Sequence, residues 1–401
     1  MRTLIYLTLL LVLPSLGFSR TWNVEKDGSG DFTVIQDAVD AAESGDVIEI
    51  GPGRYEEFQV FHNVYTWDNF VFVYDKSLTF RGAGVDQTII GPSDPDMTPH
   101  YAYGITSDDY SGQGYLKVSG ITFDNLNDRG IASGFGYLEV TECSFTHSSG
   151  ATNFGIGISS QNSSGSLIRN CQFENLPDYC ITTHNPTSGL VIEDCQFENS
   201  HYGMGFWGTD VSGVVIRNCQ LSAPPLPIGH AGAGFYVSSG ASIEVDNCYV
   251  EFFSDAILVS DSHVVIHDSV LRLSDRGEIG LTNDFSLNAY NNVMETEVAV
   301  INLNGPGINL ISLNNNHFHR YGEGLYVKCN PEHWIWGEES LQVDMTNNYW
   351  GTQDVDEISE YIIDGNDPPY IVNFFVDFLP LADGPVATEA ITLDGVKALY
   401  R

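Results

Sequence analysis

Positive charge is scarce in this chain: 16 lysines and arginines stand against 53 aspartates and glutamates, a formal charge of -37 over 401 residues. Such an excess repels nucleic acid phosphates and anionic lipid, so neither is an expected partner. An acidic sugar polymer would need bridging cations, which leaves Ca2+ as the one cofactor the composition keeps open; otherwise the surplus reads as a solubilising, salt-tolerant surface. Membrane-spanning apolar runs are missing too. The apolar segment Leu4 to Leu13 follows Arg2 and precedes Pro14, Gly17 and Ser19. It is too short to cross a bilayer and has the layout of a signal peptide, residues 1–19, which predicts a secreted or periplasmic protein without membrane insertion. The seven cysteines include no Cys-x-x-Cys pair and no clustered histidine accompanies them, so no metal-ligand set is read.

What is present is a repeat. Segments align on a short apolar-x-apolar-x-x-Cys/Asn-x-Phe core: Val140, Cys143 and Phe145; Ile168, Cys171 and Phe173; Ile192, Cys195 and Phe197. Counted at the Phe-like position, from Phe123 to Trp350, successive spacings are 22, 28, 24, 24, 29, 21, 23, 24 and 32 residues. A period near 24 with alternation of period two inside each unit means short strands wound into coils. The expected fold is all-β, a single-stranded right-handed parallel β-helix of about 10–12 coils, spanning residues 20–382. Stacking at about 4.8 Å places equivalent residues above one another. The Phe row then fills the core, and Asn125, Asn175 and Asn199, two residues after each Phe, read as an asparagine ladder serving backbone groups at a turn. Apolar spacing of helical type returns only at the ends, in Thr33–Glu43 (cap within residues 21–60) and Val355–Ile363 (cap within 351–382). Residues 383–401 read as a tail.

Five cysteines, Cys143, Cys171, Cys195, Cys219 and Cys248, share one position in consecutive coils. Parallel side chains at that spacing sit slightly beyond disulfide reach, so a ladder of buried free thiols is expected, with bridges between neighbouring coils as the alternative.

Two outward rows depart from small polar residues. In the strands Ile156–Ser159, Ile181–His184, Met204–Trp207 and Phe235–Ser238 the first and third residues are expected inside, which places His184, Trp207 and Tyr236 outside on three successive coils. Ring faces of this kind stack on sugars, although packing under the Pro224–Gly234 loop would use them equally well. The second row follows the Phe marker: Asp124, Thr146, Glu174, Glu198, Ser222, Glu251. Glu174 and Glu198, one coil apart, are near enough to share a proton, hold a cation or act as a glycosidase pair, or they simply splay into water. Asp178, His201 and Tyr202 lie on the turn joining the rows. Candidate catalytic residues are thus Glu174, Glu198, Asp178 and His201, and candidate substrate-binding residues His184, Trp207, Tyr236 and Tyr202. A lyase would need an outward cationic base, for which Arg129, Arg276, Arg320 and Lys328 are available. Asp364-Gly-Asn366-Asp367 is acidic and turn-like without a full calcium-loop spacing.

The run Asp27-Gly-Ser-Gly-Asp-Phe-Thr-Val-Ile-Gln-Asp-Ala-Val, followed by Gly45-Asp46 and by Gly53-Arg-Tyr-Glu-Glu57, resembles the opening of pectin lyase-like β-helix proteins, pectin methylesterases included. Asn347-Asn-Tyr-Trp-Gly351-Thr resembles the last coil of bacterial β-helix repeat proteins. The resemblance implies the fold over roughly Trp22 to Pro380. It brings no catalytic set: the Gln-Asp-Thr and Asp-Phe-x-Phe-Gly elements of the esterases are absent, Asp108-Asp109 and Gly229-His230-Ala231-Gly232 match polygalacturonases only in fragments, and the Arg-x-Pro-x-x-Arg element of pectate lyases is missing. The reading is therefore a secreted β-helix that binds extracellular polysaccharide or a cell-surface glycan, or displays loops, with a polysaccharide hydrolase or lyase as the alternative.

Overall fold

The computed structural model describes residues 19–57, 59–62, 66–94, 102–108, 114–134, 136–147, 155–161, 163–184, 186–224, 232–303, 309–329, 341–364 and 374–385. Residues 1–18 of the expected signal peptide and residues 386–401 of the expected tail lie outside them.

One coil is a strand Tyr179–His184, a two-residue strand Thr187–Ser188, a strand Val191–Glu193 and a strand Gln196–Glu198. The next repeats it as Tyr202–Trp207, Val211–Ser212, Val214–Arg217 and Gln220–Ser222. Vertical stacking gives three faces. Among the described residues the third, carrying Gln196–Glu198, contains eleven strands, and the first and second, carrying Tyr179–His184 and Val191–Glu193, join into one hydrogen-bonded surface of 24. Among the described residues every pairing is parallel except the hairpin of Gln59–His62 with Thr66–Tyr74.

The core follows from alternation. Phe123, Phe145, Phe173 and Phe197 stack with centroids 5.0, 4.9 and 4.7 Å apart and planes within 8°. Their row continues in register through Leu221, Val250, Leu271, Met294 and Phe318. Each ring removes a large apolar area from water, worth about 2–3 kcal/mol, and an in-register sequence repeat is what brings rings of equal shape together.

At the corner between the second and third faces the five thiols form the expected ladder, free and buried. Each Sγ lies against a carbonyl two residues back and another one coil away, 3.3 Å from Arg169 O and 3.7 Å from Val140 O for Cys171. Burial pushes the thiols of Cys143, Cys171, Cys195 and Cys219 well up, so these four remain protonated filler. Below Cys248 the position passes to Ser269, Asn292, Asn316 and Asn348. Asn316 Oδ1 accepts from the backbone N of Asn292 at 2.9 Å, and Asn348 Oδ1 accepts from that of Asn316 at 2.7 Å. This is the asparagine ladder of the molecule. Asn125, Asn175 and Asn199 are instead the left-handed residues of the following turn, with φ of 56°, 59° and 52°. Asparagine tolerates that conformation, and the coil there is tied by backbone bonds such as Asn175 N to Glu198 O, 3.0 Å.

Both caps form, shorter than their sequence periodicity. The helix Ile35–Ala41 buries Ile35, Ala38 and Val39 and stops where Ala42 turns extended. The helix Val355–Glu360 is capped by Asp354, whose side chain accepts from the backbone N of Asp356 and Glu357, and it buries Ile358. Asp364, read above as part of an acidic turn, accepts a hydrogen bond from Val376 N at 3.0 Å; residues 365–373 lie outside the described set. Among the described residues no helix is long and apolar enough to cross a membrane.

Candidate functional site

The first face carries the distinctive outward side chains. Register pairs Tyr179 with Tyr202, Thr182 with Gly205 and His184 with Trp207, and the next coil sets Tyr236 opposite Gly205. His184, Trp207 and Tyr236 are therefore outside on three successive coils as expected, but Tyr236 sits two positions earlier in the strand than the other two. The coil above is shifted likewise: Ile158, not Ile156, aligns with Ile181, and Ile156 points outward above Tyr179.

Gly205 explains how the rings still meet. A Cβ there would lie 2.1 Å from the Trp207 ring, so the indole folds back over the bare glycine backbone. In that pose it stacks on His184 (5.0 Å, 13°) and meets Tyr179 (5.1 Å, 84°) and Tyr236 (5.9 Å, 65°). Tyr179 stacks on Tyr202 at 4.5 Å, and His201 meets Tyr202 edge-on at 4.7 Å. All six rings are half-buried. Under them Thr182 is 2% exposed and its hydroxyl has no hydrogen-bond partner among the described residues. Tyr202 also packs closely on Gly232, at the edge of the loop whose residues 225–231 lie outside the described set.

Charge gathers at one side of this platform. Burial raises the Asp178 carboxyl above its ordinary range, against backbone hydrogen bonding and the nearby charges of His201 and Arg129. Burial lowers His184, with Arg129 acting in the same direction. Arg129 itself donates to Tyr103 Oη at 2.7 Å, lies 3.5 Å from Asp128, and has a buried Nε without a hydrogen-bond partner among the described residues. Asp178, His184, His201 and Arg129 thus share one electrostatic neighbourhood. Of the other cationic candidates, Arg320 stacks over Tyr361 at 3.4 Å and Arg276 acts on Asp255; neither approaches the platform rings among the described contacts.

Glu174 and Glu198 are register partners on the third face, both exposed, with Asn175 donating to Glu174 Oε1 at 3.1 Å. Thr146 stands above them and Ser222 below. In the same row Asp124 is bound by Arg54 at 2.7 Å and Glu295 by Arg272 at 3.1 Å. The turn at Asn175 separates this carboxylate pair from the platform.

Two groups escaped the sequence reading. Asp255, in the same vertical row as Tyr202 through Ala233, is 3% exposed, and burial pushes its carboxyl up to about 6. Glu278, one coil on, is fully buried and pushed up to about 8, with Oε1 accepting from Ser274 N at 3.2 Å and Oε2 unpartnered among the described residues. Glu278 occupies a position held by small or apolar residues in the neighbouring coils, such as Gly234, Ala256 and Val300, so only the aligned repeat could have revealed it. Asp246, His267 and Asp268 each place a ligand atom within 4.8 Å of the others, the one such grouping among the described residues; it lies on the second face, with His267 Nε2 held 3.1 Å from Glu244 Oε1.

Residues 98–250 match the family model described as the right handed beta helix region. No curated protein gives a significant match. Among solved structures, an alginate lyase from a Paenibacillus species is 14% identical, covering 78% of this chain and 99% of its own, with a TM-score of 0.47. A hyperthermoactive exopolygalacturonase from Thermotoga maritima is 12% identical over 72% of this chain and 80% of its own, TM-score 0.36. A mannuronan C-5 epimerase A-module from Azotobacter vinelandii is 12% identical over 74% and 94%, TM-score 0.37. None of these likenesses carries a substrate to this chain. The in-register winding of the coils, together with the match of residues 98–250 to that family model, shows this chain to have the right-handed parallel β-helix fold.

Proposed function

We propose that this is a secreted protein that binds extracellular polysaccharide or a cell-surface glycan on its first face, through Trp207, His184, Tyr236 and Tyr202 with Tyr179. The observation that carries this is the Trp207 indole folded over Gly205 and bracketed by three other rings. A rigid cluster of half-exposed rings binds a sugar face without first ordering its own side chains, which lowers the entropic cost of association. An apolar layer at this site would also tolerate the negative charge of the whole chain better than a polar one, because ring stacking does not depend on net charge.

A second reading, polysaccharide cleavage, is favoured by Asp178. A carboxyl that burial raises above its ordinary range, set in the electrostatic neighbourhood of a histidine and an arginine, leans toward the character of a general acid. Glu174 and Glu198 remain candidates as a cation-binding pair, for which Ca2+ is the fitting ion.

Affinity electrophoresis in gels containing separate neutral and uronate polysaccharides, with and without Ca2+, tests binding. Retardation by at least one polymer that disappears in Trp207→Ala while Arg320→Ala is retarded normally supports the platform; equal retardation of both variants rejects it. Reducing ends and unsaturated-product absorbance, measured in parallel, separate the two readings: product formed by wild type and lost in Asp178→Asn makes the protein an enzyme.

A further inference from the structure

On the second face, away from the platform, the strands Val47–Ile50, Leu78–Gly82, Tyr115–Ser119 and Tyr137–Thr141 floor an open groove of about 690 Å³. Its outward row runs Val47, Thr79, Lys117, Glu139 over four coils, with Tyr115 and Tyr137 paired beside it. Lys117 Nζ lies 5.8 and 5.5 Å from the two tyrosine ring centroids and 2.9 Å from Glu139 Oε2. Tyr137 Oη donates to the same Oε2 at 2.9 Å. Burial opposes charge on Glu139, but the bonds from Lys117 and Tyr137 outweigh it and hold the carboxyl below its usual range. Arg81, at the groove's other side, is paired with Glu49 at 3.1 Å.

We propose that this groove is a second ligand site, and that it takes a neutral oligosaccharide. Both cations already have a carboxylate partner, so an anionic sugar would face Glu139 and Glu49 without a free positive charge to meet it. A neutral sugar meets complementary groups throughout. Tyr115 and Tyr137 offer ring faces, and the fixed Lys117 and Glu139 pair offers a donor and an acceptor side by side for adjacent hydroxyls. The coil spacing of about 4.8 Å is close to the length of one sugar unit in an extended glycan, so successive coils can address successive units. The site ends where the row turns apolar, at Leu167, Val191 and Val215 in the next coils. It is independent of the platform: the two sites share no residue and lie on different faces.

The test is isothermal titration of the full-length secreted protein with neutral gluco- and manno-hexasaccharides and with a uronate hexasaccharide, using wild type, Tyr115→Ala/Tyr137→Ala, Lys117→Gln and Trp207→Ala. The proposal expects a neutral hexasaccharide still to bind Trp207→Ala, where the groove alone is left, and the groove changes are read in that background. The double tyrosine variant should bind it about tenfold or more weakly, and Lys117→Gln, an exposed change that leaves the thermal melt in place, about fivefold more weakly. No neutral binding, binding of the uronate alone, or neutral binding that survives both groove variants overturns it. Neutral binding lost only in Trp207→Ala assigns the ligand to the platform and rejects the groove.

Discussion

The first and second faces are built from the same coils on the same core, yet their outer surfaces are held by different forces. On the first, Tyr179, Tyr202, Trp207, His184 and Tyr236 hold one another by ring contact. On the second, one vertical row alternates in charge, with Glu193 bound by Arg217 at 2.5 Å and by Arg169 at 3.7 Å, and with Asp246 3.3 Å from His267. A solenoid must cover each outer row with something that tolerates an identical neighbour above and below. Alternating charge does so by pairing its groups and leaves nothing for a charged ligand; rings do so and leave a face free. The difference teaches that in this scaffold the way an outer row is covered sets the chemistry of what it can hold.

Three changes separate the shared core from the individual faces. Phe173→Ala removes one ring from the stack common to both and should cost about 3–5 kcal/mol, read as a fall in the denaturant midpoint at unchanged slope, with both faces affected together. A loss under about 1 kcal/mol would mean that the stack adds little to the winding. Glu278→Gln acts under the first face only. A glutamate near 4.5 when unfolded and about 8 when folded holds an extra proton in the native state between those values. Wild-type stability should accordingly be full below about pH 4.5 and decline as pH rises through about 8, by a few kcal/mol in all, whereas the amide variant shows a flatter profile and greater stability at pH 8. Parallel pH profiles for the two proteins would contradict the burial of that carboxyl. Arg217→Ala touches the second face alone; an exposed ion pair of this kind is worth below about 1 kcal/mol and should fade in high salt, and a larger, salt-independent loss would show that the charge row holds the coil.

The winding was legible because repetition magnifies a weak local signal. A single Ile-x-x-Cys-x-Phe run says little, whereas its recurrence every two dozen residues fixes which side chains become vertical neighbours, and the Phe stack and thiol ladder follow from it. The asparagines misled because two different corners use them: a left-handed turn at Asn175 and an inward amide ladder at Asn316 look alike in sequence. The platform was legible in membership and not in geometry. Nothing in the order of residues says that the Trp207 ring turns back over Gly205, since that depends on a missing Cβ under a ring two positions away. Asp255 and Glu278 were illegible for a simpler reason: a carboxylate at a core position reads as a surface residue until its neighbours in the coils above and below are known.

The claim that the first face binds polysaccharide is tested most directly in the Tyr115→Ala/Tyr137→Ala background, where the groove of the second face is disabled, by labelling the tryptophans with fluorine and following their NMR signals while a polysaccharide that retards this variant is added. Assigned by its absence in Trp207→Phe, the Trp207 resonance should shift or broaden with saturation, while that of Trp350, buried in the last coil, stays in place. A Trp207 signal unmoved at saturating ligand would place binding elsewhere and contradict the account.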